Sequence, residues 1–569
     1  MSFRFASWFQ RRSVQIGFVA ILVSGLSAQV SDLRPRVGVP EDWSHHRIKF
    51  NSAYLRQHPE IAAREPRAAT QLYREAFLNA QAQMGSVLPA AQTASADALA
   101  PHRDWSVALG NGRLGFGQFP AKWNTDPTAA PSCATDYVIY TLNAVGATGG
   151  QPSIVGMYGL YASATGTPLC RKSNGFQDNQ PVFLFSYNTN TISNGRITTS
   201  PVLSLDGKKV AFVETTPNSG TKSSVFHVLT IPAPAGPQQL TAVPSSAPPA
   251  GALSSATIAA ASDTRSSPWV DYPSDTAYVA LDNGRLYKIT GVFNGTPTVV
   301  TTPPWPLTIN LNSTLTSPVL DSSTGNVFLG AGNGRLYTVN VNTPGAVTTI
   351  QVGRTGSPNT PGIFDSVIFD GTGATLFAVS ANDNVLAGAA VVQVNSTSPF
   401  GIVTRVGIGQ GSSTGGAVNL YDGDFDNNYF NSPSTGHMLI CGTGVADTTP
   451  YRYLLNFNSG GVLQPGSSVQ ISTNAAARCS PVTEYFNPNI SGGTDFFFWG
   501  VTRNCPTNAA GCVMALTNET TLTAAPVTGG TSGIIIDNDF VTQPGGSSIY
   551  FSSEAAPNNA VKLTQQGLQ

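Results

Sequence analysis

Four carboxylates recur at one position of a repeated pattern. Asp271 ends Ser-Pro-Trp-Val-Asp (267–271), Asp321 ends Ser-Pro-Val-Leu-Asp (317–321), Asp370 ends Ser-Val-Ile-Phe-Asp (366–370) and Glu484 ends Ser-Pro-Val-Thr-Glu (480–484). Equivalent residues of symmetric units can converge on an axis, where a ring of carboxylates would hold a cation or a cationic ligand. A carboxylate closing a strand also accepts backbone N–H bonds in the turn that follows, and Ser322 to Gly325 is such a turn. The turn role is the stronger reading, and the ligand ring is its functional alternative.

A second acidic set lies in YDGDFDNNYF (421–430), where Asp422, Asp424, Asp426 and Asn428 alternate with the oxygen-rich spacing of a hard-cation loop. Calcium is the one cofactor this suggests, although Asn427 stands where such a loop has glycine and Pro433 where it has the closing glutamate; the alternative is a solvated loop between units. His45 and His46 offer adjacent imidazoles, but neighbours on a helix point in different directions and no third ligand accompanies them. His102 and His437 are isolated, and His227, two residues from Val225 and from Leu229, reads as a packed strand residue. No phosphate loop or metalloprotease helix occurs, and no catalytic residue is nominated.

The six cysteines are Cys133, Cys170, Cys441, Cys479, Cys505 and Cys512, and none has the two-residue gap of a zinc pair. Disulfides are the expectation. Six cysteines leave the connectivity open, while proximity favours 505 with 512 and 133 with 170, leaving 441 with 479.

Repeated strands and turns must position these groups. Asn-Gly-Arg-Leu-Tyr stands at 283–287 and again at 333–337. Each copy follows an apolar run, TAYVAL or NVFLGA, and opens another strand, so Asn-Gly is read as a two-residue type I′ hairpin turn. Further apolar runs, KVAFVE, TLFAVS, HMLICG and FFFWGV, follow the other pattern starts, and a weaker fourth strand closes most units. Antiparallel four-strand units of some fifty to sixty residues cannot bury both faces alone and must stack around an axis. The fold expected is an all-β propeller of eight blades, or seven with an elaborated N-terminal sheet. The last unit ends at VKLTQQ without a fourth strand, and a strand from 104–118 is expected to complete it.

The first residues differ from this pattern. Residues 1–28 have Arg4, Arg11 and Arg12 ahead of an apolar core and small residues up to Ala28, which is a signal peptide pattern too short to span a bilayer. Residues 29–84 read as a small helical segment on the stripe Leu72, Ala76, Ala80, residues 85–103 as a linker, and 104–569 as the propeller. With 30 Lys and Arg against 31 Asp and Glu and no basic stripe, nucleic acid is excluded as a partner.

The unit SPVLDSSTGNVFLGAGNGRLYTVNV (317–341) resembles the repeat of pyrroloquinoline-quinone-like propellers over roughly 200–565. VPEDWSHHRIKF (39–50), the stretch from DWSVALG to FPAKW (104–123) and PSCATDYVIY (131–140) look like uncharacterised exported propeller proteins of soil bacteria. The superfamily implies a fold and holds both enzymes and scaffolds. The adjacent cysteine pair and the regularly placed tryptophans of its quinone enzymes are missing here.

These readings point to a secreted or periplasmic monomer that acts as a recognition or scaffold module for an extracellular or cell-surface protein or polysaccharide, with no stable membrane span. The alternative is a quinone-dependent or polysaccharide-active enzyme with carboxylates at the channel.

Overall fold

The second strands Thr276–Leu281, Thr375–Ser380 and Thr494–Val501 are buried along their whole length. A strand without a polar face must be covered on both sides, and a ring of stacked sheets supplies two neighbours to every blade. The computed structural model describes residues 38–72 and 102–564, the latter without 127–130, 164–168, 172–175, 177–178, 217–221, 235–244, 312, 355–361, 414–417, 488–492, 507 and 538–547. The signal peptide pattern and most of the linker lie outside the described residues.

The chain forms an eight-bladed β-propeller. The innermost strands of blades 1 to 8 are, in order, Ala121–Asn124, Val202–Leu203, Trp269–Asp271, Val319–Asp321, Ile368–Asp370, Asp424–Phe425, Thr483–Asn487 and Ile535–Asp537. Blade 8 takes its outermost strand from His102–Ala108, which pairs antiparallel with Asn559–Thr564 and so closes the ring. Each blade has two edges of loops. The turns joining strands one and two lie at one end of the axis, here the turn end, and the hairpins joining strands two and three lie at the other, the hairpin end.

The repeated pentapeptide makes a hairpin, but not a type I′ one. Gly284 and Gly334 have φ of 74° and 76°, whereas Asn283 and Asn333 are absent from the positive-φ residues. Gly284 N donates to Leu281 O and Gly334 N to Ala331 O, both at 3.0 Å, so each loop holds three residues, the last in the left-handed region. The asparagine is selected by its side chain. Its Oδ1 accepts from the Arg285 or Arg335 N–H at 3.1 Å, while its Nδ2 donates to the Tyr287 or Tyr337 hydroxyl at 2.8 or 3.0 Å. Leu286 and Leu336 point into the core. Asn111-Gly112 and Asn194-Gly195, which share the wording, form no such hairpin between paired strands.

The segment expected as a helical appendage enters the ring. Val39–Glu41 pairs antiparallel with the innermost strand of blade 1, and Ile48–Lys49 pairs parallel with that of blade 5, diametrically opposite. Between them Trp43–His46 forms a short 3-10 helix capped by Asp42, whose carboxylate accepts from the Ser44 N–H at 3.0 Å. Helices Ser52–Gln57 and Pro59–Arg64 and a helical stretch at 66–72 follow. Of the stripe, Leu72 is buried and Ala76 and Ala80 lie outside the described residues. Trp43, Ile48, Phe50, Leu55, Ala68 and Leu72 join the same apolar cluster as blades 2 to 5. Helical period is visible from 66 onward, but the strand character of 39–41 and 48–49 comes from the open edges of the inner strands, which a local pattern does not contain.

Three disulfides join Cys133 to Cys170, Cys441 to Cys479 and Cys505 to Cys512, with Cα atoms 5.6, 6.2 and 6.3 Å apart.

Candidate functional site

Three of the four carboxylates at the repeat position hold their own turns at the turn end. Asp321 accepts from Ser323 N at 2.9 Å, Ser323 Oγ at 2.6 Å and Thr324 Oγ1 at 2.6 Å. Asp370 accepts from Thr372 N at 2.9 Å and from the Tyr429 hydroxyl at 2.8 Å, and Asp271 accepts from Ser274 Oγ. Glu484 departs from the pattern. It is hydrogen-bonded to Asp495, and burial, then Asp495 and Asp424, push its carboxyl well above the ordinary range against the pull of Lys49. Asp495 beside it is raised to about 6, mainly by burial.

The alternating set at 422–428 is not drawn together around one ion. Asp422 pairs with Arg47, Asp424 with Lys49 at 3.0 Å, and Asp426 caps the helix Asn427–Asn431 by accepting from Tyr429 N at 2.9 Å. Asn428 is exposed on that helix while the three aspartates are buried. The alternation is that of an inner strand leading into a helix.

The cations that these aspartates meet are the chain's own. Arg47, only 3% exposed, reaches Asp422 with one nitrogen and Asp365 with another at 2.7 Å. Burial holds Asp422 well above the ordinary carboxylate range, opposed by Arg47 and reinforced by Asp365 and Asp424. Arg67 stands fully buried further along, its guanidinium carbon 4.2 Å from the Trp269 ring centre, with donations to Glu65 at 2.9 Å, Ser44 Oγ at 2.6 Å and Val270 O at 3.0 Å. The segment from Val39 to Lys49 thus crosses the axial channel between opposite blades, anchored by main-chain pairing at both walls and by ion pairs with the segments leading into blades 5 and 6.

The hairpin end of the axis is covered by residues 115–119. Gln118 Oε1 accepts from Ser200 N at 2.9 Å and from the Ser200 and Ser267 hydroxyls, both at 2.8 Å, and its carbonyl accepts from Gly533 N at 2.8 Å. Phe119 stacks on His46, ring centres 4.9 Å apart, so this cover rests on the crossing segment. Phe116 lies edge-on to Tyr421 at 5.2 Å.

Beside this cover, between blades 7 and 8, opens a cavity of about 420 Å³ lined by Arg113, Arg478, Arg503, Phe116, Thr502 and Glu554. Arg113 pairs with Glu554 at 3.0 Å, and burial lifts the Glu554 carboxyl to about 7 although Arg113 opposes it. Arg478 and Arg503 are exposed. Two disulfides brace the walls: Cys479 follows Arg478 directly, and the 505–512 bridge closes the loop that carries Ala509 and Ala510 along the rim. The net positive charge, the aromatic face and the threonine hydroxyl can together receive an oxyanion with an adjoining apolar group. Sequence reading missed this site because Arg113, Arg478 and Arg503 are scattered over some 390 residues of chain and meet only through ring closure.

Among the described residues no helix is long and apolar enough to cross a membrane. No family model matches the chain, and no curated protein matches it. Among solved structures it is similar to BamB from Moraxella catarrhalis (12% identity, TM-score 0.42, covering 82% of this chain and 99% of that one). It is similar to the dihydro-heme d1 dehydrogenase NirN in complex with DHE (10%, 0.39, 82% and 84%) and to Saccharomyces cerevisiae Sqt1 (8%, 0.47, 81% and 98%).

Proposed function

We propose that this chain is an exported recognition or scaffold propeller that receives an acidic group of an extracellular or periplasmic protein or polysaccharide at its hairpin end. The observation that carries this reading is the filled axis. Where a channel enzyme would seat a cofactor or sugar among carboxylates, Asp422 and Asp424 are already paired with Arg47 and Lys49, and residues 115–119 cover the hairpin end of the axis. Recognition then falls to the rim, where the arginine-lined cavity is open and where Val385 and Val445, 66% and 85% exposed, project from the hairpin loops of blades 5 and 6. Three disulfides fit an oxidising compartment and support export.

The test is retention on an immobilised acidic polysaccharide, polygalacturonate, against neutral dextran, for the full chain and for Arg478→Glu with Arg503→Glu. Binding to the acidic polymer alone, weakened by salt and lost in the variant, is expected. Binding that ignores both the charge of the polymer and the two arginines overturns the site. Dye reduction by the protein after loading with pyrroloquinoline quinone and a divalent cation overturns the non-enzymatic reading.

A further inference from the structure

At the turn end, the face of the ring opposite to that of the arginine cavity, blades 6 and 7 bring together three groups distant in sequence. Asp426 follows the innermost strand of blade 6, His437 opens its second strand, and Glu519 sits in the turn between strands three and four of blade 7. His437 Nδ1 lies 3.1 Å from Asp426 Oδ2 and 2.8 Å from Glu519 Oε1, and one ligand atom from each residue falls within 4.8 Å of the others. Neighbouring ligand atoms of a tetrahedral ion with bonds of about 2.0 Å stand roughly 3.3 Å apart, which the two distances from His437 approach, while the two carboxylate oxygens lie within 4.8 Å of each other.

The surroundings hold these atoms in place. The second oxygen of Asp426 accepts from Tyr429 N and His437 N, both at 2.9 Å, which fixes the plane of the carboxylate. Asp495 stands behind, fixed by the Asn427 N–H at 2.8 Å, and adds a further negative charge to the field of Asp426 and Glu519. The backbone at Glu519 is the independent sign. Asn518 and Glu519 have φ of 43° and 60°, a turn in which the second place favours glycine, and at its own Asn-Gly hairpins the chain does place glycine in the left-handed position. Here it keeps a glutamate whose carboxylate reaches across the blade interface to His437.

We propose that Asp426, His437 and Glu519 form a three-ligand site for a divalent transition ion of the zinc class, which pins blade 7 to blade 6. A hard ion such as Ca²⁺ takes oxygen ligands only, whereas an imidazole with two carboxylates suits Zn²⁺. The ion takes the place of the proton on His437 Nδ1, which is released on binding. The fourth position is open to water, since His437 and Glu519 are 27% and 19% exposed at the side chain.

The test is titration of the chelator-treated full chain with ZnCl₂ by calorimetry, with metal content after desalting. One Zn²⁺ per chain is expected, with a raised melting temperature, and a binding loss of at least tenfold in His437→Gln and in Glu519→Gly. Glu519→Gly is the discriminating variant because glycine suits the left-handed backbone. Its metal-free melting temperature should equal or exceed that of the parent while its zinc binding fails. Zinc binding unchanged in Glu519→Gly, or equal binding and equal thermal response with CaCl₂, overturns the site.

Discussion

Replacing Arg47 by leucine tests whether the crossing segment is held by charge within the ring. The substitution keeps an apolar stem and removes the guanidinium from between Asp365 and Asp422, which are 14% and 1% exposed. Truncating one partner of a buried, hydrogen-bonded ion pair strands the other and costs about 3–5 kcal/mol. A domain of this size has an unfolding entropy on the order of 1 kcal/mol/K, so the melting temperature should fall by about 3–5 °C. The loss should also depend on pH, with a definite sign. Asp422 is raised above its unfolded value even beside Arg47, and removing the opposing cation raises it further. Such a carboxyl supports the fold in its neutral form and withdraws that support as pH rises through its folded value; that value is higher in Arg47→Leu than in the parent, so the deficit should hold or widen, and not narrow, as pH rises from 5 to 8. Adding Asp422→Leu in the same chain removes the stranded carboxylate and should restore most of the loss. Calorimetric melts of the three chains at both pH values provide the readout. A shift below 1 °C at pH 8, or a deficit that narrows with rising pH, refutes the reasoning.

Gly284→Val forces a branched side chain into φ of 74° and sets its Cβ 1.7 Å from Asn310 O, so it should destabilise by more than about 1 kcal/mol; an unchanged melting temperature would count against the hairpin. Cys505→Ala with Cys512→Ala opens a short loop and should cost about 2 kcal/mol in the chain-entropy account, and peptide mapping without reductant should recover the two cysteines as one linked species. Glu554, raised to about 7 chiefly by burial, contributes stability that is lost as pH rises through 7, so Glu554→Gln should flatten the decline in melting temperature between pH 6 and 8.

The blades were legible in the sequence because their signals are local: an apolar second strand, a glycine at the hairpin, a carboxylate at the first turn. Asp321 and Asp370 behave as the turn reading requires, since a side chain two or three residues from its donors needs no tertiary information. The closing strand was legible for another reason: a blade left short at 559–564 called for one from 104–118, and the strand that supplies it is His102–Ala108, which begins inside the stretch read as linker. What stayed hidden depends on the ring. Arg47 and Lys49 carry no local signal of their role, which exists only once blades 5 and 6 supply Asp365, Asp422 and Asp424 around them. His437 was isolated in sequence because its partners come from another strand end and from the next blade. The Asn-Gly turn type failed on one residue: the asparagine was assigned to its backbone, and it is used for its side chain.

The filled axis is tested most directly at two amides of blade 5. Phe369 N donates to Arg47 O at 2.8 Å and Gly371 N to Lys49 O at 2.9 Å, across the channel edge of the innermost strand. An innermost strand facing an open channel presents these N–H groups to water, so their hydrogen exchange reports on the crossing segment itself. Exchange of Phe369 and Gly371 should be slowed to the level of the central strand Thr375–Ser380 in the native protein. Exchange at the rate of exposed loop amides, with Thr375–Ser380 still protected, would mean that the channel is open and would contradict the account.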